Sequence, residues 1–174
     1  MTNASKRKGN SGERSLCKYF IKIFGGSWVR VPNSGGMVGG LRNVRAKTLS
    51  KSQLLNQSND IVPPDEYPHC ALEVKFYKDF SFNMLMDPKG YAQLNEWIEQ
   101  VWESGIDMEA SFPMICFKIN NKGWHTVVWS DKIKNLDLKG INYTVYNHKD
   151  AEYKIFQMEN FIERYTEELK EYFS

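Results

Sequence analysis

Apolar positions recur along the chain with two different periods, and these lay out its elements. Leu16, Tyr19, Phe20, Ile23 and Phe24 share one helical face. The spacing predicts a helix capped by Ser11 or Gly12, running to about Phe24 and stopped by Gly25-Gly26. Trp28 to Val31 reads as a short strand entering a loop, Pro32 to Gly36. Asp60-Ile61-Val62 begins a strand that Pro63-Pro64 ends, and Cys70 to Tyr77 is a full strand. Helical spacing returns from Pro88 to about Ser104, with Leu94, Trp97, Ile98 and Val101 on one side. Phe112 to Ile119 and Trp124 to Trp129 are predicted strands joined by a turn at Asn120-Asn121-Lys122-Gly123, and Tyr143 to Tyr146 is a further short one. Ile155, Met158, Ile162, Tyr165, Leu169 and Tyr172 predict a closing helix from about Ile155 to Phe173. Its stripe suits the core better than a partner subunit. Helix, strands, helix, strands, helix packs naturally as an α/β fold, a central mixed sheet flanked by helices.

Composition narrows this. The 174 residues, 41% apolar, suffice for one domain with a sizeable core. No apolar run reaches the roughly 18 residues of a membrane-spanning helix. The basic start has no apolar stretch behind it and is not a signal peptide. Cys17, Cys70 and Cys116 are widely spaced with no CxxC pair, which argues against a disulfide framework or a zinc knuckle and for a soluble protein of the reducing cytoplasm. Cys17 itself, in an amphipathic helix, reads as core. Gly35-Gly36 and Gly39-Gly40 lack a following G-K-[ST], so no phosphate-binding loop or nucleotide cofactor is expected.

The net charge of +2 conceals a segregation. Residues 1–59 hold eleven Lys/Arg and one acid; residues 60–174 hold twelve Lys/Arg and twenty acids. Such asymmetry suits a basic surface facing a polyanion, or else a solvated arm. Within the basic part, Met37 to Asn59 reads as a basic loop or small hairpin carrying Arg42, Arg45, Lys47 and Lys51.

Two carboxylates stand where bland positions are expected. Glu13 falls on or beside the buried face of the first helix, which suggests a paired or metal-bound group, or a first-turn acid favoured by the helix dipole. In the strand Cys70 to Tyr77, period 2 puts Glu73 and Lys75 on one face with Ala71 and Tyr77. That pair could be a simple surface ion pair. Asp60 changes the balance: two antiparallel strands across the Pro-Pro turn would bring Asp60 and Glu73 together. Two carboxylates and a strand carbonyl make a hard oxygen site suited to Mg²⁺, and an adjacent lysine can hold a water. His69, His125 and His148 are not spaced as metal ligands. Trp97, Trp102, Trp124 and Trp129 fit core or interface positions better than exposed stacking platforms.

Asp60 followed by Glu73-Val74-Lys75 resembles the PD-(D/E)xK nuclease signature. Lys8-Gly9-Asn10-Ser11-Gly12-Glu13-Arg14-Ser15-Leu16 is similar to the K-G-x-x-x-E-R-x-L opening of archaeal-type Holliday junction resolvases. Arg30-Val31-Pro32-Asn33-Ser34-Gly35-Gly36 resembles their R-x-P-x-S-G loop. The resemblance covers roughly the first 75 residues. It implies a restriction-endonuclease-like core in a single nuclease domain, two Mg²⁺ ions per site (Mn²⁺ able to substitute), and a homodimer that cuts opposed strands of a four-way junction, leaving 5′-phosphate and 3′-hydroxyl ends. It further implies that Asp60, Glu73 and the Val74 carbonyl bind metal, that Glu13 completes the site, that Lys75 activates water, and that Ser34 lies near the scissile phosphate. Lys6, Arg7, Lys8, Arg14, Arg30, Arg42, Arg45, Lys47 and Lys51 would contact DNA; Arg14 and Arg30 could instead support Glu13. Gln100 or Gln93 could supply a glutamine seen in many such nucleases. Asn59 stands where the family usually has Pro, and residues 37–59 and those from about Lys132 are longer than in a minimal resolvase, extensions that suit a phage or viral source. A nuclease of duplex or flapped DNA, and a DNA-binding module without catalysis, remain the alternatives.

Overall fold

The computed structural model describes residues 3–31, 59–107 and 110–174, the side chains of 3–10 and 107 excepted. The predicted loops at 32–36 and 37–58 lie outside the described residues. Seven strands form one mixed sheet: β1 (Val29–Arg30), β2 (Ile61–Val62), β3 (Cys70–Tyr77), β4 (Phe112–Ile119), β5 (Gly123–Trp129), β6 (Tyr143–His148) and β7 (Ala151–Gln157). Their order is β1-β2-β3-β4-β5-β7-β6, parallel between β3 and β4 and antiparallel elsewhere. The parallel pair needs a crossover, and α2 (Ala92–Asp107) provides it. The expected α/β architecture, a mixed sheet flanked by helices, is the one observed.

Period 2 sorts the strands onto two cores. Leu72, Val74, Met114, Cys116 and Phe156 face α1 (Asn3–Phe24) and the C-terminal helices. Ile115, Phe117, Val127 and Ile155 face Leu94, Trp97, Ile98 and Val101 of α2. The three cysteines are free and buried, and Trp97 and Trp124 are core residues. Trp102 is half-buried and donates its Nε1–H to the Tyr153 hydroxyl at 2.8 Å. The β4–β5 turn falls where predicted, with Asn121 at φ 61° and Gly123 at φ 82°.

Three element boundaries differ from expectation. The first helix begins at Asn3, not at Ser11 or Gly12. Gly12 is interior because Phe76 lies against it: a Cβ there would come within 2.6 Å of the Phe76 ring. The crossover helix starts at Ala92, since Pro88 belongs to a turn that follows a 3₁₀ segment, Phe82–Met86. The closing helix does not begin at Ile155. That residue sits in β7, hydrogen-bonded between β5 and β6. The helix follows as two pieces, α3 (Met158–Arg164) and α4 (Thr166–Phe173), broken at Tyr165. The stripe from Met158 to Leu169 is buried nonetheless. Ile155 fits the helical spacing by coincidence: from β7 it faces the α2 core, whereas Met158, Ile162, Tyr165 and Leu169 fill the core on the other face of the sheet.

Candidate active site

The site grows from the short end of the sheet. Ile61 pairs with Leu72, so antiparallel register sets Asp60 opposite Glu73. β2 goes no further toward its N-terminus. The Val74 N–H, left without a strand partner on that side, donates to Asp60 Oδ2 at 2.8 Å. In a strand, the N–H and C=O of one residue point to the same edge, so the Val74 carbonyl faces the Asp60 side as well. The Asp60 backbone carbonyl accepts from Val31 N at 3.0 Å, tying β1 to the same place.

Glu73 and Lys75 point from β3 toward α2, as period 2 requires. Lys75 Nζ donates to Glu73 Oε1 at 2.5 Å and to Gln100 Oε1 at 2.7 Å. Gln100 is therefore the glutamine that reaches the site. Gln93, two helical turns earlier, instead accepts from the Tyr91 hydroxyl at 2.7 Å. Glu13 arrives from α1 on the other face of the sheet. β1 and β2 are only two residues long, and Glu13 lies close enough that the Asp60 carboxylate raises the pKa of both Glu13 and Glu73, with Glu13 adding to the rise at Glu73. Arg30 of β1 donates its Nε–H to Glu13 Oε2 and holds it from the opposite side.

Burial and mutual repulsion govern the charges. The Glu73 side chain is only 11% exposed. Burial, and then the Asp60 carboxylate, push its pKa up to about 7 against the pull of Lys75. Burial also raises Glu13, with Asp60 adding to it and Arg30 opposing. Such a gathering of buried acids is unfavourable without a compensating cation. The donor set of carboxylates and a strand carbonyl is hard oxygen throughout and fits a divalent ion of the Mg²⁺ type. Among the described residues, no three His, Cys, Asp or Glu side chains stand ready-arranged as a metal cage. Glu13 is turned onto Arg30 and Glu73 onto Lys75.

The structure thus brings together Glu13, Arg30, Asp60, Glu73, Val74, Lys75 and Gln100. Arg14 is exposed beside Glu13. Lys6, Arg7 and Lys8 lie on the first turns of α1, whose side chains there are not described. Ser34, Arg42, Arg45, Lys47 and Lys51 lie outside the described residues. His125 is in β5, its ring stacked on Phe117 at 5.2 Å. Sequence reasoning missed the Asp60 contact to the Val74 N–H, since nothing in the residue pattern shows where a neighbouring strand ends.

A mixed sheet between helical layers, with an acid ahead of one strand and an E-x-K in the next, is the architecture of restriction-endonuclease-like PD-(D/E)xK proteins. The chain belongs to the family described as "Phage putative PDDEXK endonuclease", whose model matches residues 4–171. It is also similar to "Protein D14" of Escherichia phage T5, with 27% identity over 151 residues that cover 85% of each chain. No solved structure matches it. No helix among the described residues is long and apolar enough to cross a membrane.

Proposed function

We propose that the protein is a Mg²⁺-dependent, structure-selective DNA endonuclease that resolves four-way junctions as a homodimer in the host cytoplasm, the whole chain forming one nuclease domain. The observation that carries the reading is the convergence of Glu13, Asp60, Glu73 and Lys75, from three separate segments, at one end of the sheet. Asp60, Glu73 and the Val74 carbonyl, with Glu13, would hold the divalent ions. Bound there, such an ion lowers the pKa of water and neutralises charge on a phosphate.

The chain's own groups do the rest. Lys75 is steadied by Gln100 and Glu73, so its ammonium is aimed rather than free to rotate. It orients the attacking water and meets charge that builds on the phosphate. Water attack in line with the 3′-oxygen leaves a 5′-phosphate and a 3′-hydroxyl. Arg30 fixes the position of Glu13 beside the site. Support for junctions over linear duplex comes from the resemblance of the Lys8 to Leu16 and Arg30 to Gly36 segments to archaeal-type resolvases.

Incubation of a synthetic four-way junction with Mg²⁺, beside linear duplex of the same arm sequence and an Asp60→Asn control, tests this. Paired symmetric nicks in the junction alone, absent in the control, are the expected result. Equal cutting of both DNAs would retain the nuclease and remove its junction selectivity. Tight junction binding without cutting would leave a non-catalytic DNA-binding module.

A further inference from the structure

α1 is basic out of proportion to its neighbours. It carries Lys6, Arg7, Lys8, Arg14, Lys18 and Lys22 against a single acid, Glu13, which is engaged with Arg30. Arg14, Lys18 and Lys22 follow one another at four-residue intervals. At 100° per residue they occupy about 80° of arc, and at 1.5 Å per residue they span about 12 Å along the helix. All three side chains are exposed on the face turned away from the sheet. Among the described residues none of them forms an ion pair, whereas Lys134, Lys149, Lys154 and Lys170 in the C-terminal half each hold a carboxylate.

The other described α-helices have the opposite sign. α2 presents Glu96, Glu99 and Glu103 and has no basic residue. α3 and α4 carry five glutamates against Arg164 and Lys170. Two of these, Glu159 and Glu163, face Tyr19 on one flank of α1. The other flank of α1 borders β1, the edge of the sheet, where Arg30 and Glu13 meet. A polyanion is therefore repelled from the α2 face and from the α3–α4 side, and is admitted over α1 and the β1 edge. The stripe starts at Arg14, the residue next to Glu13, so it leads directly away from the site.

We propose that Arg14, Lys18 and Lys22 form a phosphate track that seats the duplex flanking the reacting phosphate, so that DNA lies over α1 and the β1 edge. This rests on the nuclease reading above and extends it with Lys18 and Lys22 and with the direction of the DNA. Flexible lysines one helical turn apart act as point charges toward phosphate and read no bases, in keeping with recognition of shape.

The test uses the full chain, a fluorescent linear duplex and a four-way junction with long arms. Binding is titrated against salt in chelator, where no cutting occurs. Lys18→Gln/Lys22→Gln changes two exposed side chains. It is expected to weaken binding several-fold and to make the slope of log Kobs against log[salt] shallower by about 2, near 0.9 per lost phosphate contact. Lys134→Gln/Lys139→Gln, on a surface outside the track, is expected to leave the slope as in wild type. An unchanged slope in the Lys18/Lys22 variant overturns the track. If the wild type nonetheless cuts DNA in Mg²⁺, the nuclease reading stands without it. A shallower slope in a protein whose wild type cuts no DNA keeps the track and removes the nuclease. Failure of the wild type to bind either DNA overturns both.

Discussion

Lys75 has two acceptors and no slack, and this makes it the sharpest residue to test. Lys75→Ala removes the ammonium but leaves the basic exterior untouched. It is expected to bind a junction with near wild-type affinity while cutting falls by at least about 100-fold. Equal loss of binding and cutting would assign Lys75 to substrate capture instead. Glu73 offers a second handle. Its pKa in the folded protein is about 7, above the ordinary 4.5, so the folded state retains a proton that the unfolded state releases. In metal-free protein this residue therefore costs nothing below about pH 4.5. Its cost grows as pH rises from about 4.5 to about 7, reaching about 3 kcal/mol, and then levels. Denaturant unfolding in chelator should show metal-free stability falling through that window. Glu73→Gln should flatten the fall and make the protein more stable than wild type at pH 8, while abolishing cutting. A wild-type curve flat between pH 5 and pH 7 would contradict the burial described here. The types and order of these residues were readable in the chain, because E-x-K on a strand puts both side chains on one face. The choice of Gln100 over Gln93 was not, since it depends on which turn of α2 passes over Lys75.

α1 and β3 show how an element sets the site. The face of α1 that carries Leu16, Phe20 and Phe24 is buried, and Phe20 and Phe24 pack on Trp28 with ring centroids 4.8 and 6.0 Å apart. That packing decides how high Glu13 rides along β3. Gly12 sits at the closest approach, against Phe76. Gly12→Ala should push α1 away from Phe76, costing about 1–3 kcal/mol in stability by overpacking. It should lower cutting beyond what the stability loss explains, because Glu13 is the next residue. Phe76→Leu in the same chain should recover part of both, as measured by thermal melts and by nicking rates. Full activity in Gly12→Ala would show that Glu13 tolerates the shift. Here the pattern of apolar positions was a good guide to the existence of α1 and a poor guide to its start. Gly12 looks like a cap by type and is instead a gap for a ring fifty positions or more away. β7 was hidden for a related reason. Its last residues, from Ile155, were absorbed into a helical period that happened to continue through Met158, its first four were assigned to no element, and its hydrogen bonds go to β5 and β6, which local spacing does not report.

Taken as an assembly, the proposed resolvase needs two sites to make paired nicks. Light scattering is expected to return about twice the 20.3 kDa chain mass, and one chain's mass would restrict the enzyme to single nicks. The distribution of charge was visible in the residue order: a basic first third and an acidic remainder. Its meaning in space was not, because α1 shares a layer with the acidic α3 and α4 while the equally acidic α2 covers the other face. The chain alone established the helix and strand periods, the acids and the lysine of the site, and their family likeness, since each depends on neighbours a few positions apart. Which strands adjoin, where β2 stops so that Asp60 can take the Val74 N–H, and which helix turns reach the acids were settled by contacts between distant segments. Such contacts follow from how two cores are filled at once, and no local spacing carries that information.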